Sequence, residues 1–296
     1  MSVAETRTAA LASDTAPRRR PGRAFDIGAL ILTLVTVIFA LLWAFPIYLA
    51  IVTTLKPEAQ VIAKGVDFVP RTWTLDAYWH VLVNTMIGRW YLNSLVTSLG
   101  VTLLTLVISA TTAYALSQLR FPGRNVIWYL ILASFMVPVA ALIVNHFILM
   151  AQFGLINNWL GVIFPQLIHP VVIIVYKNFF DSVPKEYREA AKMDSASEWR
   201  IFSRIYLPMN WGITTALAIV TFIGAWNNFL WPFLAVSRPE MMNVAVGITQ
   251  VNDAFGVQYA RELAGAILAA LLVAVLYLIF QRRVTQAIML SAGVKG

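Results

Sequence analysis

The 296-residue sequence contains no cysteine, which excludes disulfides and thiolate metal sites. Charge is scarce as well. Only 12% of the residues are Asp, Glu, Lys or Arg, against 59% hydrophobic. A soluble globular domain needs a largely polar surface, and a mean hydropathy of +0.74 does not fit one. No G-x-x-x-x-G-K-[ST] stretch occurs, so the chain is not expected to cradle ATP phosphates itself. No internal repeat is evident and no carboxylate lies inside an apolar run. A secondary carrier that depends on an inverted repeat or a charge relay therefore fits poorly.

What is present is a series of long apolar runs. A bilayer core needs about 20 helical residues to cross it. Six stretches reach that length, near 27–53, 91–116, 126–150, 158–180, 211–236 and 263–280. They predict an all-α polytopic membrane protein spanning residues 26–285. Residues 1–25 are small, polar and basic, and are expected to form a disordered tail; residues 286–296 form a second tail. Pro46, Pro138, Pro165, Pro170 and Pro232 fall within the runs and predict kinks, since proline removes a backbone donor.

The net charge of +8 comes from basic residues at the edges of the runs. No nucleic-acid partner is implied; this is the pattern of membrane topology. With the N-terminus inside, 16 Lys and Arg fall on the inner side and 6 on the outer. Both termini are thus expected in the cytoplasm of a cell with the chain in its inner membrane. Residues 55–90 and 237–260 become long outer loops. The first contains PRTWTLDAYWHV, expected to hold a short interfacial helix.

One cytoplasmic segment, 181–208, is highly charged: Glu186, Arg188, Glu189, Lys192, Asp194, Glu198, Arg200 and Arg204 all lie in it. Two helices are predicted. The first covers about 185–193, with Pro184 in its first turn. The second covers about 196–206, with Ser195 as N-cap, Glu198 reaching back to it, and a stop before Pro208. Trp199, Phe202, Ile205 and Tyr206 form an apolar stripe on the second. Two readings of the segment stand: a solvated connector on the membrane surface, or a docking element for another protein.

Polar and aromatic residues inside the runs are candidates for a substrate route. Trp226, Asn227, Asn228 and Trp231 cluster in the fifth run, Asn93 and Ser94 lie in the second, and Asn145 and His146 in the third. Asparagine in hydrocarbon must find partners. These residues either line a path for a hydroxyl-rich solute or bond to backbone broken near Pro232. His169, beside Pro170, is expected to be a packing histidine, and Lys177 to snorkel to the membrane surface.

The stretch EAAKMDSA at 189–196, followed by IYLP ending at Pro208, resembles the EAA loop of ABC-importer permeases. The departure is Ser195, where that family usually carries glycine. LRFPGRN at 119–125, FIGAWNNFLWPFL at 222–234 and the terminal FQRRVTQAIMLSAGVKG resemble the carbohydrate-importer branch of the maltose-permease G type. The resemblance covers the whole chain after the tail. It implies a coupling loop that docks on a cytoplasmic ATPase. Glu189 would be the charged contact, Ala190, Ala191 and Ala196 the close-packing surface, Asp194 the cap or hydrogen-bond acceptor at the bend, Ser195 the residue in the usual glycine's place, and Leu207 and Pro208 the end of the motif. It also implies a second permease subunit, an ABC ATPase dimer that uses the ATP and Mg, and an extracytoplasmic solute-binding protein. Loop 237–260 would be the element reaching that protein, with Met241, Met242 and Asn243 as exposed contacts. The expected solute is a di- or oligosaccharide or related polyol; glycerol phosphate, or carriage without an ATPase, are the alternatives.

Overall fold

The computed structural model describes residues 27–63, 65, 67–251 and 256–291, with side chains up to 281. The expected tail 1–25 and the last five residues of the tail 286–296 lie outside the described residues. The chain divides into two compact units, 1–49 and 50–296. The described part of the first unit belongs to α1, Ile27–Thr54, with Pro46 inside the helix. Its apolar side chains, such as Leu42 and Trp43, are exposed. Thr33 and Thr36 donate back to the Ala29 and Leu32 carbonyls, which removes two hydroxyls from contact with hydrocarbon.

The second unit is built around α2, Ile87–Gln118. At 32 residues it is about 48 Å long, well beyond a ~30 Å bilayer core. Ser98, Thr102, Thr105, Ser109, Ala110 and Ala113 line its buried side. Such small side chains let neighbouring helices approach closely. A Cβ on Gly100 would stand 2.7 Å from Ile163 Cδ1, which shows how close that approach is. α2 also joins two hydrophobic clusters. Ile87 and Trp90 belong to one, with Trp231, Val244 and Ala264. Ala110, Tyr114 and Leu116 belong to the other, with Tyr176, Phe180, Phe202 and Tyr206.

Three of the expected runs are broken where proline or asparagine interrupts them. Run 126–150 becomes α3, Arg124–Phe135, and α4, Val139–Gln152, bent by 102° at Pro138. Run 158–180 becomes α5, Trp159–Ile163, with a 3-10 turn to Gln166, and then α6, Pro170–Asp181, bent by 54° before Pro170. α7, Lys185–Met193, and α8, Glu198–Ile201, form the charged segment. Run 211–236 becomes α9, Trp211–Trp226, and α10, Leu230–Ala235, separated by Asn227, Asn228 and Phe229. The last run is longer than expected: α12, Tyr259–Ser291, extends into the expected tail. Among the described residues, three helices are long and apolar enough to cross a membrane, or up to six spans if the bent pairs over 124–152, 159–181 and 198–226 each count as one.

The two segments expected on the outer side carry short helices among their described residues. The interfacial helix expected in the first runs over Asp76–Asn84, with Trp79 exposed. α2 begins at Ile87, so this loop ends four residues earlier than expected. In the second, a 3-10 turn at Pro239–Met241 leads into α11, Val244–Gly247. Glu58, from the first outer segment, accepts from the Tyr259 and Ala260 amides at 2.9 and 3.0 Å and caps the start of α12.

Candidate coupling loop and substrate path

α7 covers the residues the sequence predicted, 185–193, with Pro184 just before it as cap residue. Its end differs from expectation. Ser195 has φ +53, in the left-handed region. Its amide donates to the Lys192 carbonyl, and the Ala196 amide to Ala191, both at 3.0 Å. That is the Schellman closure of a helix, and its left-handed position usually goes to glycine. Ser195 thus closes α7 and does not cap the next helix. The cap falls two residues on, where Ser197 Oγ accepts from the Arg200 amide. The Asp194 amide donates to the Ala190 carbonyl.

The second helix also runs further than expected. After α8 a π-helical turn, Phe202–Tyr206, leads into Leu207–Met209, so the chain passes through Pro208. The Leu207 amide bonds to the Phe202 carbonyl, five residues back. This wider turn accommodates a proline that can neither donate nor pack normally against the preceding turn. The sharp change comes at Asn210, where Glu198–Met209 and α9 meet at 80°. Buried Asn210 donates through Nδ2 to the Tyr206 carbonyl at 2.8 Å. Sequence reasoning missed Asn210; the signal was an amide placed between a proline and an apolar run.

Glu198 does not reach back to Ser195. Its Oε1 accepts from Arg188 and Lys192 of α7 at 2.6 and 2.7 Å. Its Oε2 accepts from the Tyr114 hydroxyl of α2 at 2.6 Å. Burial pushes the Glu198 carboxyl up, but the bonds from Lys192, Tyr114 and Arg188 outweigh that and hold it at about 2. Beneath it lies an aromatic cluster. The Tyr114 ring sits 5.2 Å from both Phe202 and Tyr206, and Phe180 is 5.8 Å from Tyr206. The Tyr206 hydroxyl donates to Gln118 Oε1, and Gln118 Nε2 donates to the Phe180 carbonyl. Ser117 donates to Asp181, which Lys177 also pairs at 2.6 Å. The loop is fixed to the ends of α2 and α6.

Its outer face is left open. Tyr187, Glu189, Ala190, Met193, Asp194, Ser195 and Trp199 are exposed, Met193 by 87%. Ala191 and Ala196 are half-buried and, with Asp194, Arg200 and Arg204, line a hollow of about 300 Å³ between the two helices. Leu207 is half-buried and Pro208 exposed.

At the opposite end of α2, the route candidates mostly bond to backbone. Buried Asn93 donates to the Glu240 and Met242 carbonyls at 2.9 and 2.8 Å, and accepts from Trp159 Nε1 at 3.0 Å. Trp231, also buried, shares its indole N–H between the Gly161 and Val162 carbonyls. His146 lies edge-on to it at 5.9 Å. Buried Trp226 donates to Ala269 and packs on Tyr91. Asn228 donates to Gln166 at 2.6 Å, and its carbonyl accepts from Asn243. Asn227 ends α9 with an exposed side chain.

The described residues 237–247 of the expected outer loop are correspondingly fixed. Met242 and Asn243, expected exposed, are 8% and 4% exposed, and Met241 is half-buried. Packing accounts for this: Trp90 donates to the Pro239 carbonyl, Ser94 accepts from the Val244 amide, and Trp90 lies against Gly247 so closely that a Cβ there would stand 2.2 Å from the ring. Asn157, itself left-handed at φ 58, accepts from the Ser237 and Arg238 amides. Asn157 and Gln166 are further anchors that the sequence did not single out.

Long apolar helices, three of them unbroken and the others bent in pairs, with an exposed charged helix between two of them, fit a polytopic membrane protein. Residues 105–287 match the family of binding-protein-dependent transport system inner membrane components, and the chain belongs to that family. Its relatives include the arabinooligosaccharides transport permease AraQ of Bacillus subtilis, 31% identical over 92% of this chain and 98% of that one. The lactose transport permease LacG of Rhizobium radiobacter is 29% identical, covering 84% and 91%. The sn-glycerol-3-phosphate transport permease UgpE of Yersinia pestis is 31% identical, covering 88% and 94%. Among solved structures, a bacterial ABC transporter that imports the acidic polysaccharide alginate superposes with a TM-score of 0.78 at 23% identity, covering 89% of this chain and 99% of that one.

Proposed function

We propose that this chain is the non-catalytic permease subunit of an ATP-driven sugar importer, with six spans and both termini in the cytoplasm. It would carry a di- or oligosaccharide or related polyol. The observation behind this reading is the helix pair α7–α8: an exposed Glu189, a separate hollow lined by Ala191 and Ala196, and an inner face fastened to α2. An ATPase subunit docked on that face would move α2 as it closes. α2 carries the outer loop at its other end, so one motion reaches both faces of the membrane. ATP and Mg belong to the ATPase dimer, and a second permease subunit completes the pathway. A solute-binding protein would meet the outer side. A solved structure of this fold, a bacterial alginate ABC transporter, is described in complex with an alginate pentasaccharide-bound periplasmic protein, at a TM-score of 0.62 and 16% identity.

Glycerol phosphate is the second reading, favoured by the similarity to UgpE at 31% identity. A phosphate would call for Arg or Lys along the route. The described spans carry such residues only near their ends, as with Arg89, Arg124 and Lys177, which favours a neutral sugar. Uptake into proteoliposomes holding the complete importer, compared between labelled neutral oligosaccharides and glycerol phosphate, decides between them. ATP-dependent uptake of an oligosaccharide alone supports the sugar reading; uptake of glycerol phosphate alone replaces it.

A further inference from the structure

α7 carries the residue expected to meet the ATPase, yet it buries no residue of its own. A helix with no fully buried residue is poorly placed to transmit a push unless something holds it from the side. Backbone holds only its ends, through Pro184 and the Schellman turn at Ser195. From the side, half-buried Ala191 touches the aromatic cluster. Arg188 and Lys192, four residues apart and so on one face, reach the same Glu198 oxygen at 2.6 and 2.7 Å. The other Glu198 oxygen takes the hydroxyl of Tyr114, which is 5% exposed in the wall of α2. One carboxylate thus joins α7, α8 and α2.

We propose that Glu198 is the positioning residue of the coupling loop, tying the Glu189-bearing helix to α2 through Tyr114 so that movement of the loop is delivered to the spanning rod. This rests on the reading of the chain as an ATPase-coupled permease. Without the tie, α7 can swing about its two ends while α2 stays in place. ATP is then hydrolysed with little solute moved.

The test uses the complete importer in proteoliposomes, with its ATPase and solute-binding protein. Solute moved per ATP hydrolysed is compared among wild type, Glu198→Ala, Glu198→Gln and Tyr114→Phe. Glu198→Ala should co-purify with the ATPase and lose roughly tenfold in that ratio, the factor that corresponds to about 1.4 kcal/mol. Glu198→Gln keeps an acceptor for Tyr114 and should recover part of the loss. Tyr114→Phe removes one hydroxyl and should also lower the ratio. Adding it to Glu198→Ala should cost nothing more, because both act through one joint. A wild-type ratio in Glu198→Ala, or additive losses in the double variant, overturns the proposal. Should Glu198→Ala fail to assemble, Tyr114→Phe carries the test, and a wild-type ratio there overturns it as well. If unsubstituted importer shows no response of ATP hydrolysis to loaded binding protein, the underlying reading fails, a result visible before any substitution is made.

Discussion

Replacing Asn93 by alanine should release the outer loop selectively. Asn93 makes three hydrogen bonds from a nearly sealed site: two to the Glu240 and Met242 carbonyls and one from Trp159. Each such bond contributes about 1 kcal/mol net, and each buried group left unpaired costs a further 1–3 kcal/mol. Trp90 and Ser94 still hold Pro239 and Val244, so the loop stays tethered while its local opening becomes easier. A loss of about 3 kcal/mol corresponds to roughly a hundredfold rise in the population of opened loop. Hydrogen exchange of purified protein, read peptide by peptide, reports that population. Amides within 240–247 should exchange about a hundredfold faster in Asn93→Ala, whereas α7 and α8 should be unchanged. Unchanged exchange in 240–247 would refute Asn93 as the anchor. Equal acceleration in both regions would refute the idea of a local joint.

Three other outcomes follow from the same geometry. Ser195→Gly should hold or raise thermal stability by up to about 1 kcal/mol, because glycine takes φ near +53 without the steric cost that serine bears, whereas Ser195→Val should lower it. Gly247→Ala should displace the outer loop, since the added Cβ would meet Trp90 at 2.2 Å; overpacking of this kind costs about 1–3 kcal/mol and would show as faster exchange in 244–250. The Glu198 joint should be acid-sensitive. Its carboxyl is held at about 2 against an ordinary 4.5, so its contribution is complete above pH 4.5 and is lost as pH falls toward 2. Melting curves taken across that window should fall more steeply for wild type than for Glu198→Gln.

The sequence carried the all-helical architecture and the position of α7 well, because both are written in local patterns. Apolar length marks the runs, and charge with flanking proline marks α7 to the residue. Two bends were legible as positions, from Pro138 and Pro170; the 80° bend at Asn210 was not, and Pro46 lies inside an unbroken helix. No angle was legible, because angles depend on what each broken end packs against. The turn after α7 was misread for a related reason. Ser195 and Ser197 both suit a cap, and the choice between them was made by the backbone closing α7, which needs a left-handed residue at 195. The outer loop was least legible. The exposure of Met242 and Asn243 was implied by the resemblance, yet both are buried by partners distant in sequence: Asn93 and the Glu240 carbonyl lie 147 positions apart. Asn93 was picked out as a polar residue in an apolar run, and only the fold shows that its bonds go to the loop backbone.

ATP hydrolysis by the reconstituted importer, with and without solute-loaded binding protein, tests the central claim most directly when wild type is set beside Glu189→Lys. Strong stimulation in wild type, and its loss in a Glu189→Lys chain that still inserts and folds, is the result expected of a permease that couples through this loop. Equal stimulation in both would contradict the coupling role of α7.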